Sequence, residues 1–442
     1  MAPPERALQR LSVLVACVLL AACAAPAGSP QALGPNGTAN DPNHIQFLAW
    51  GGTSLLPAYQ SLVGLYEQRF PGQTVDFVGL PSQADAQKRL ATDFTGGTPA
   101  DVIVLSYLDL AGYASRGLLA PVAPYLANSP ALNTSQFFQE SLGPFIYNRQ
   151  LQCLPQNISG LVVYYNRSLF RQAGVPEPGS RWTWDQFLDT ARALTRPASG
   201  GQPEQYGLGL EPTLIDFAPF IWQGKGTLVD NNLWPTELAF NAPAVLTATT
   251  WLVSLQTQYH VAPDSQAELA ASSQQRFMDG TLAMLIGPRD DVPVYRQITA
   301  FDWDVAFLPE SGGRRTNVIL ADGYCLSAAA PRKAAAWQFI EFADSPEGQA
   351  ILAKSGAMLP ALTAVAKSSA FLDPGAKPAH GQVYLDAVAD ARGLPQLENW
   401  TDIQAIVDEE LQQAFYGQKD AAEALAAAVT RTEEYFKFHS GL

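Results

Sequence analysis

Short apolar runs alternate through most of the chain with longer segments in which apolar residues recur every three or four positions. The run Ile45 to Trp50 ends in a glycine-rich turn, which predicts a buried strand. The amphipathic segment after it predicts a helix that ends near Pro71. Runs at 74–78 and 101–105, separated by a helical pattern at 83–94, continue the alternation. This order predicts a mostly parallel sheet with helices on its faces.

The same alternation returns later in the chain, without an internal repeat. Residues 161–165 and 282–286 predict two more buried strands. Thr183 and Gln186 have the spacing of a capping box at a helix start. Asn241 is predicted to cap another helix, and Ser345 a third, because a proline follows each of them in the first turn. The last forty residues are rich in Ala and Glu and predict one or two helices.

The first residues have the pattern of an export signal. Arg6 and Arg10 precede an apolar run at 11–20, which is shorter than the roughly 20 residues of a membrane-spanning helix. Leu20-Ala21-Ala22-Cys23 resembles a bacterial lipobox. We therefore expect residues 1–22 to be a lipoprotein signal peptide and Cys23 to be lipidated, so that membrane lipid holds the chain at the extracytoplasmic face of the bacterial cell membrane. The alternative is an ordinary signal peptide with a chance cysteine.

Residues 23–43 are rich in Ala, Gly, Pro and Asn and predict a flexible tether. The sequence contains no other apolar span long enough to cross a membrane. About 400 residues follow, which is too long for one core and indicates two domains.

Charge and motifs exclude several functional classes. Residues 1–22 contain two arginines and one glutamate, so their removal takes the formal charge from −14 to −15, which argues against nucleic acid as a partner. The four histidines are scattered, and no metal, phosphate-binding or nucleophile motif is present, so we expect no metal, no cofactor and no catalytic residue. After export and lipidation two cysteines remain, Cys153 and Cys325, which are free to pair or to stay as buried thiols.

From residue 45 onward the chain resembles the extracellular solute-binding proteins of ABC transporters, family 1, of the maltose-binding type. The resemblance rests on the order and spacing of five stretches: 99–119, 161–170, 182–194, 277–288 and 322–356. It implies an α/β fold of the periplasmic-binding-protein type II-like class, with two α/β lobes, a multi-strand hinge and an interlobe ligand cleft. The implied N-terminal lobe comprises 44–157 and 324–368, and the implied C-terminal lobe comprises 161–320 and 376–442.

The resemblance implies a monomer that captures a small-molecule ligand, closes about its hinge and delivers the ligand to an ABC transporter membrane permease. The ligand would be a sugar, an oligosaccharide or a sugar or glycerol phosphate, and no bond would be broken, so the chain would not be an enzyme. Two alternatives stay open: a secreted glycan-active enzyme, and a ligand sensor that feeds a membrane receptor.

A sugar requires flat aromatic side chains for its C–H face and polar groups for its hydroxyls. On the positions that match the family, the candidate ligand-binding residues are Gly51, Gly52, Thr53, Ser106, Tyr107, Asp109, Gln156, Ser159, Glu211, Phe217, Trp222, Arg289, Asp322, Gly323, Tyr324 and Trp400. Trp400 stands where the family places a stacking tryptophan, and the alternative is a core tryptophan. Trp222 has the same two interpretations.

Arg289 departs from the family, because many sugar binders have tryptophan after the preceding Gly-Pro pair. A guanidinium favours a carboxylate or phosphate ligand, so Arg289 introduces sugar acids and glycerol-phosphate compounds as ligands. The alternative is a surface arginine paired with Asp290 or Asp291. The resemblance also places Cys153 and Cys325 in adjacent hinge strands, within bridging range, which implies a disulfide that stiffens the hinge.

Overall fold

The protein is described by a computed structural model that covers residues 41, 43–199, 204–232 and 234–437. The predicted signal peptide, the lipidation site at Cys23 and all but two residues of the predicted tether lie outside this part. The helices and strands all belong to one compact unit, Pro42–Leu442. Within the described residues, no helix combines the length and the apolar composition needed to cross a membrane.

The strands of the described chain are β1 (His44–Trp50), β2 (Thr74–Leu80), β3 (Val102–Ser106), β4 (Leu119–Ala120), β5 (Ile146–Tyr147), β6 (Gln150–Leu151), β7 (Cys153–Pro155), β8 (Val162–Asn166), β9 (Tyr206–Gly209), β10 (Leu282–Gly287), β11 (Trp303–Ala306), β12 (Asn317–Val318), β13 (Asp322–Ser327) and β14 (Ala391–Arg392). The α-helices are α1 (Leu55–Arg69), α2 (Gln83–Gly96), α3 (Tyr107–Ala114), α4 (Ala123–Leu126), α5 (Gln139–Leu142), α6 (Arg167–Ala173), α7 (Trp184–Leu194), α8 (Leu214–Gln223), α9 (Pro243–Thr257), α10 (Ser265–Ala270), α11 (Ser273–Met278), α12 (Val292–Tyr295), α13 (Lys333–Ala343), α14 (Pro346–Lys354), α15 (Thr363–Ala366), α16 (Gln382–Val388), α17 (Trp400–Phe415) and α18 (Ala421–Lys437).

The first sheet has the strand order β2-β1-β3-β13-β4, and β7 also pairs with β13. Strand β1 is parallel to β2 and β3, as the strand–helix alternation predicts. Strand β13 is antiparallel to β3, β4 and β7. The prediction of a mostly parallel sheet is therefore wrong, because β13 joins this sheet from a distant part of the chain. The alternation of strands and helices along the sequence indicates only how consecutive strands are connected, and it gives no information on strands that join the sheet from elsewhere.

The second sheet has the order β11-β8-β10-β9 and is also mixed: β8 runs antiparallel to both neighbours, while β9 and β10 are parallel. All five residues of β8 are buried. Val162 and Tyr164 pack into a core shared with the first sheet, whereas Val163 and Tyr165 pack into a second core on the opposite face. Both faces of this sheet are therefore covered, which is why its strands are continuous apolar runs in the sequence.

Helix-capping predictions have mixed outcomes. Thr183 and Gln186 form the predicted capping box at the start of α7, and Ser345 caps α14 as predicted. The prediction for Asn241 is wrong by one position, since Ala242 is the N-cap of α9 and makes no side-chain cap. Pro243 fixes the backbone at the first helical position, so this helix starts without a polar cap.

The chain passes from the first sheet to the second between β7 and β8, and returns between β11 and β13. These crossings touch: Ser159 and Leu320 exchange backbone hydrogen bonds of 2.7 and 2.9 Å. Beside them, Cys153 of β7 and Cys325 of β13 stand in register and are joined by a disulfide, with their Cα atoms 4.3 Å apart. The bond fastens the first crossing to the return strand. The implied lobe boundaries themselves stay a prediction.

Candidate functional site

A cavity of about 780 Å³ lies between the two sheets, at the ends of β1, β3 and β10 and beside the crossings. This volume falls within the range of small-molecule pockets in proteins. Nine of the sequence-predicted residues line the cavity: Gly51, Gly52, Thr53, Ser106, Tyr107, Ser159, Glu211, Arg289 and Asp322. The structure thus brings together residues that lie up to 271 positions apart in the sequence, from Gly51 to Asp322.

The turn after β1 forms one wall. Gly51 is required there by packing, because a Cβ atom at this position would lie 2.8 Å from the Cβ atom of Leu55. A Cβ atom on Gly52 would meet nothing within 4 Å, and Gly52 and Thr53 are exposed. The turn therefore offers open backbone and a hydroxyl group to a guest.

Asp109 does not line the cavity but supports a residue that does. Its carboxylate accepts hydrogen bonds from the side-chain amides of Gln83, at 3.0 Å, and Gln87, at 2.9 Å. Burial raises the pKa of Asp109, and the two amides oppose this shift. Gln83, at the start of α2, lines the cavity and was missed. The apolar pattern at 83–94 predicts the helix, but it does not show which of its side chains face the cavity.

Tyr107 borders two cavities. It is the first residue of α3, is 1% exposed, and its hydroxyl oxygen accepts a hydrogen bond of 3.0 Å from the backbone N–H of Leu394. On its other side lies a second cavity of about 1190 Å³, which Trp222 and the 75% exposed Trp234 also line. Trp222 therefore belongs to this second cavity and not to the one between the sheets.

The crossings supply a polar floor. Asn157 donates to an oxygen of Asp322 at 2.9 Å, and the Asp322 backbone N–H donates back to the Asn157 side chain at 2.6 Å. Asn157 lines the cavity, whereas the predicted Gln156 is 1% exposed and accepts a hydrogen bond from the Tyr59 hydroxyl at 3.0 Å. The side chains of adjacent residues in an extended segment point to opposite sides. The predicted Gln156 therefore points into the protein, while its neighbour Asn157 points into the cavity.

Carboxylates line the cavity on the side of the second sheet and at the start of β13. Burial raises the pKa of Asp291 to about 7, and the charge of neighbouring Asp290 adds to the shift. Burial also raises the pKa of Asp322 to about 7, and that of Asp216 well above its ordinary value, with a further contribution from Glu211. The acidic residues on the cavity are Glu211, Asp216, Glu268, Asp290, Asp291 and Asp322.

Arg289 borders this wall, but its charged group is turned into the protein. The residue is 3% exposed. Its guanidinium carbon lies 4.6 Å from the ring centre of Phe371 and 4.8 Å from that of Tyr384. The guanidinium is thus held between two aromatic rings, and the alternative of a surface arginine paired with Asp290 or Asp291 is wrong: among the described residues Arg289 forms no ion pair with either.

Four other predicted residues lie in the core. Phe217 and Trp400 are 0% exposed in the core of the second sheet, and Phe217 packs edge-on against Phe415. Tyr324 is 0% exposed in the other core, and a Cβ atom on Gly323 would lie 2.8 Å from the ring of Phe145. The position of Trp400 fits the alternative of a core tryptophan that anchors the last helices. One turn further along α17, Gln404 does line the cavity and was missed.

Comparison of the sequence with known proteins identifies the family of this chain. The family model described as bacterial extracellular solute-binding protein matches residues 50–350. An uncharacterized lipoprotein of Streptomyces antibioticus is 27% identical over 81% of this chain and 77% of its own length. The sn-glycerol-3-phosphate-binding periplasmic protein of Pectobacterium atrosepticum is 26% identical over 63% of this chain and 64% of its own length.

Solved structures show the same fold. An ABC substrate-binding protein from Listeria monocytogenes, solved in complex with cycloalternan, superposes with a TM-score of 0.81 at 22% identity and covers 89% of this chain and 99% of its own. The predicted α/β fold of the periplasmic-binding-protein type II class is confirmed by this match. Since the family model spans well over half of the sequence, this chain belongs to the bacterial extracellular solute-binding proteins.

Proposed function

We propose that this protein captures a carbohydrate or a related polyol in the cavity between its sheets and delivers it to the permease of an ABC importer. The observation that carries the proposal is the lining of the cavity. Hydroxyl, amide and carboxylate groups from both sheets converge on a volume suited to a small molecule. Such groups hydrogen-bond the hydroxyls of a polyol, and membership of a solute-binding family supports capture as the role.

Hinge closure is the proposed mechanism. The two crossings bridge the sheets at the floor of the cavity, and the side chains of Asn157 and Asp322 connect them. We propose lobes at 44–157 with 324–368 and at 161–320 with 376–442, which rotate about these crossings. A ligand that contacts both walls binds the closed form more tightly and shifts the equilibrium towards it. The closed form then docks on the permease.

We also propose that the protein is anchored by lipid at Cys23. The lipobox-like sequence Leu20 to Cys23 supports the anchor, as does the similarity to a lipoprotein of Streptomyces antibioticus. Mass spectrometry of the protein extracted from membranes tests it. We expect an N-terminal peptide that begins with a diacylated Cys23, and replacement of Cys23 by serine is expected to release the protein from the membrane fraction.

Binding without catalysis is the proposed chemistry, and the enzyme and the sensor stay as alternatives. Family members are solute-binding proteins, which supports binding alone. Incubation with a panel of glycans followed by product analysis tests this point, and turnover of any member would support the enzyme. Reconstitution with the permease would separate the importer from the sensor, because only the importer accumulates ligand in vesicles.

The experiment on the site itself is a thermal-shift and calorimetric screen of saccharides, sugar phosphates and polyols. A ligand at 100 times its Kd is expected to add about 2.7 kcal/mol to the free energy of unfolding. Gln404→Ala removes a cavity amide and is expected to weaken binding at least tenfold. Gln382→Ala removes an exposed amide from α16, away from the cavity, and serves as the matched control. Equal affinities of the two variants would remove Gln404 from the site.

A further inference from the structure

The cavity between the sheets has an unbalanced charge. Six carboxylates line it, contributed by four separate parts of the chain: Glu211 and Asp216, Glu268, Asp290 and Asp291, and Asp322. Among the described residues that line it, the only basic side chain is Arg289. Its guanidinium is enclosed by the rings of Phe371 and Tyr384, so it does not balance the carboxylates.

None of the six carboxylates forms an ion pair with a described residue. Neutral donors hold some of them: Asp291 accepts from the Gln274 amide at 2.7 Å, and Glu268 accepts from the Ser273 hydroxyl at 2.9 Å. Asp290 and Glu211 are exposed residues at the cavity surface, and the protein around their carboxylates still raises the pKa of both, mainly through burial. These two carboxylates are therefore open to a guest.

The carboxylates also act on one another. After burial, which is the main cause, Asp290 raises the pKa of Asp291, and Glu211 raises the pKa of Asp216. Asp290 further contributes to the raised pKa of Asp322. At pH 7 the raised pKa values leave Asp291 and Asp322 only partly ionised. The negative charge that remains in this partly enclosed space creates a potential that favours a cation and opposes an anion. A positive charge on the guest would relieve the repulsion among the carboxylates.

A single metal ion does not match this arrangement. In the described part of the chain, no three acidic, histidine or cysteine residues are grouped closely enough to ligate one metal ion. The carboxylates are instead spread around a cavity of about 780 Å³ that also presents Ser106, Asn157 and Gln404. A ligand that contacts all of these residues has hydroxyl groups distributed over the whole molecule and its charge at a single position.

We infer that the ligand is a polyol with a basic nitrogen, such as an amino sugar with a free ammonium group, which Glu211 and Asp290 receive at the cavity surface. This inference rests on the proposed capture of a hydroxyl-rich solute and specifies the charge of that solute. The inferred ligand is therefore a cation, whereas Arg289 in the sequence suggests an anion. Carboxylates accept charge-assisted hydrogen bonds from an ammonium group, and these are stronger than their hydrogen bonds to a hydroxyl.

The test compares saccharides that differ only in the nitrogen. Calorimetry at pH 7 on the full lipidated chain in a polyoxyethylene detergent would use glucosamine, N-acetylglucosamine and glucose, the corresponding disaccharide set, and glucose 6-phosphate as the anionic member. We expect a free-amine member to bind at least tenfold more tightly than its N-acetyl and hydroxyl counterparts. Equal or tighter binding of a neutral or anionic member would overturn the inference and leave the proposed function standing. Binding of no saccharide would overturn the inference, and binding of no member of the wider screen of saccharides, sugar phosphates and polyols would overturn the proposed function as well.

Variants of the two open carboxylates locate the charge. Glu211→Gln and Asp290→Asn keep the size of the side chain and remove its charge, so each is expected to weaken binding of the free-amine saccharide at least tenfold. Binding of any neutral saccharide should change less than twofold. Glu433→Gln, an exposed position on α18, is the matched control and should change neither. Equal losses for amine and neutral saccharides would show that the carboxylates act as hydrogen-bond acceptors only and would overturn the inference.

Discussion

At the scale of single residues, position relative to a strand end decides which side chains reach the cavity. Thr53 follows β1 and Ser106 is the last residue of β3, and both residues line the cavity. Aromatic residues chosen by their match to the family, such as Phe217 and Trp400, lie in the core instead. A tryptophan is large enough to serve as a stacking surface or as a core residue, and the local sequence does not distinguish the two uses.

The buried position of Trp400 gives a prediction about stability. Trp400→Ala is expected to lower the free energy of unfolding by about 3–5 kcal/mol, because removal of a fully buried ring leaves a cavity. Trp400→Phe retains most of the ring volume and is expected to keep ligand affinity within about twofold. Urea denaturation and calorimetry measure the two quantities. If Trp400→Phe abolished binding while the stability stayed unchanged, Trp400 would be a stacking residue and its placement in the core would be wrong.

The sequence indicates which residues lie at the cavity where the signal is local, and it does not where their position depends on the orientation of a side chain. The glycine-rich turn at 51–53 predicts that a ligand can come close to the backbone, and this turn lines the cavity. Arg289 lines the cavity, but the direction of its side chain depends on packing against Phe371 and Tyr384, which come from distant segments. Which way a long side chain turns is decided by tertiary packing, which no window of sequence contains.

At the scale of elements, the pairing of β7 with β13 connects the first crossing to the return strand. The sequence contains each strand as a short apolar run, but the antiparallel pairing links residues separated by 172 positions. Such long-range pairing is the part of the topology that local periodicity does not predict. The disulfide between Cys153 and Cys325 lies within this pairing and makes it testable.

Removal of the disulfide is expected to destabilise the protein by about 2–5 kcal/mol, because the bond restricts a long loop in the unfolded chain. Urea denaturation with and without dithiothreitol measures the effect on the native protein. The double variant Cys153→Ala with Cys325→Ala is the control: it should start at the lower stability and show no response to dithiothreitol. A native protein that is equally stable under both conditions would mean that these thiols are not bonded in solution.

At the scale of the whole molecule, the acidic character of the cavity arises only on folding. Glu211 follows β9, Asp290 and Asp291 follow β10, and Asp322 begins β13, so each belongs to a different region of the sequence. The overall negative charge of the chain gives no indication of where the charges converge. The cavity is formed by the arrangement of the two sheets, and its negative charge arises because that arrangement brings carboxylates from separate regions of the sequence together.

This convergence predicts a dependence of stability on pH. In the folded protein, burial raises the pKa of Asp291 and of Asp322 to about 7, and that of Asp408 to about 6. An unfolded aspartate has a pKa of about 3.9. Between these values the folded state binds more protons than the unfolded state, so the free energy of unfolding falls as pH rises from about 4 to about 7. Below the unfolded pKa these groups cost no stability, and above the folded pKa the whole cost is present.

Ligand affinity should follow the opposite trend, because Asp291 and Asp322 line the same cavity as Glu211 and Asp290, so their ionisation adds negative charge beside the proposed position of the ammonium group. Between about pH 5 and about pH 7 the unliganded protein is expected to become less stable while its affinity for a free-amine saccharide increases. The titratable groups that interact with Asp291 are Asp290, Glu211, Asp216, Tyr164, Tyr295 and Tyr384. Those that interact with Asp322 are Asp290, Asp109 and Tyr59. Urea denaturation and calorimetry across this range measure both slopes, and Asp291→Asn combined with Asp322→Asn should flatten them. An affinity that falls as pH rises would contradict a cationic ligand, because the negative charges that appear attract a cation.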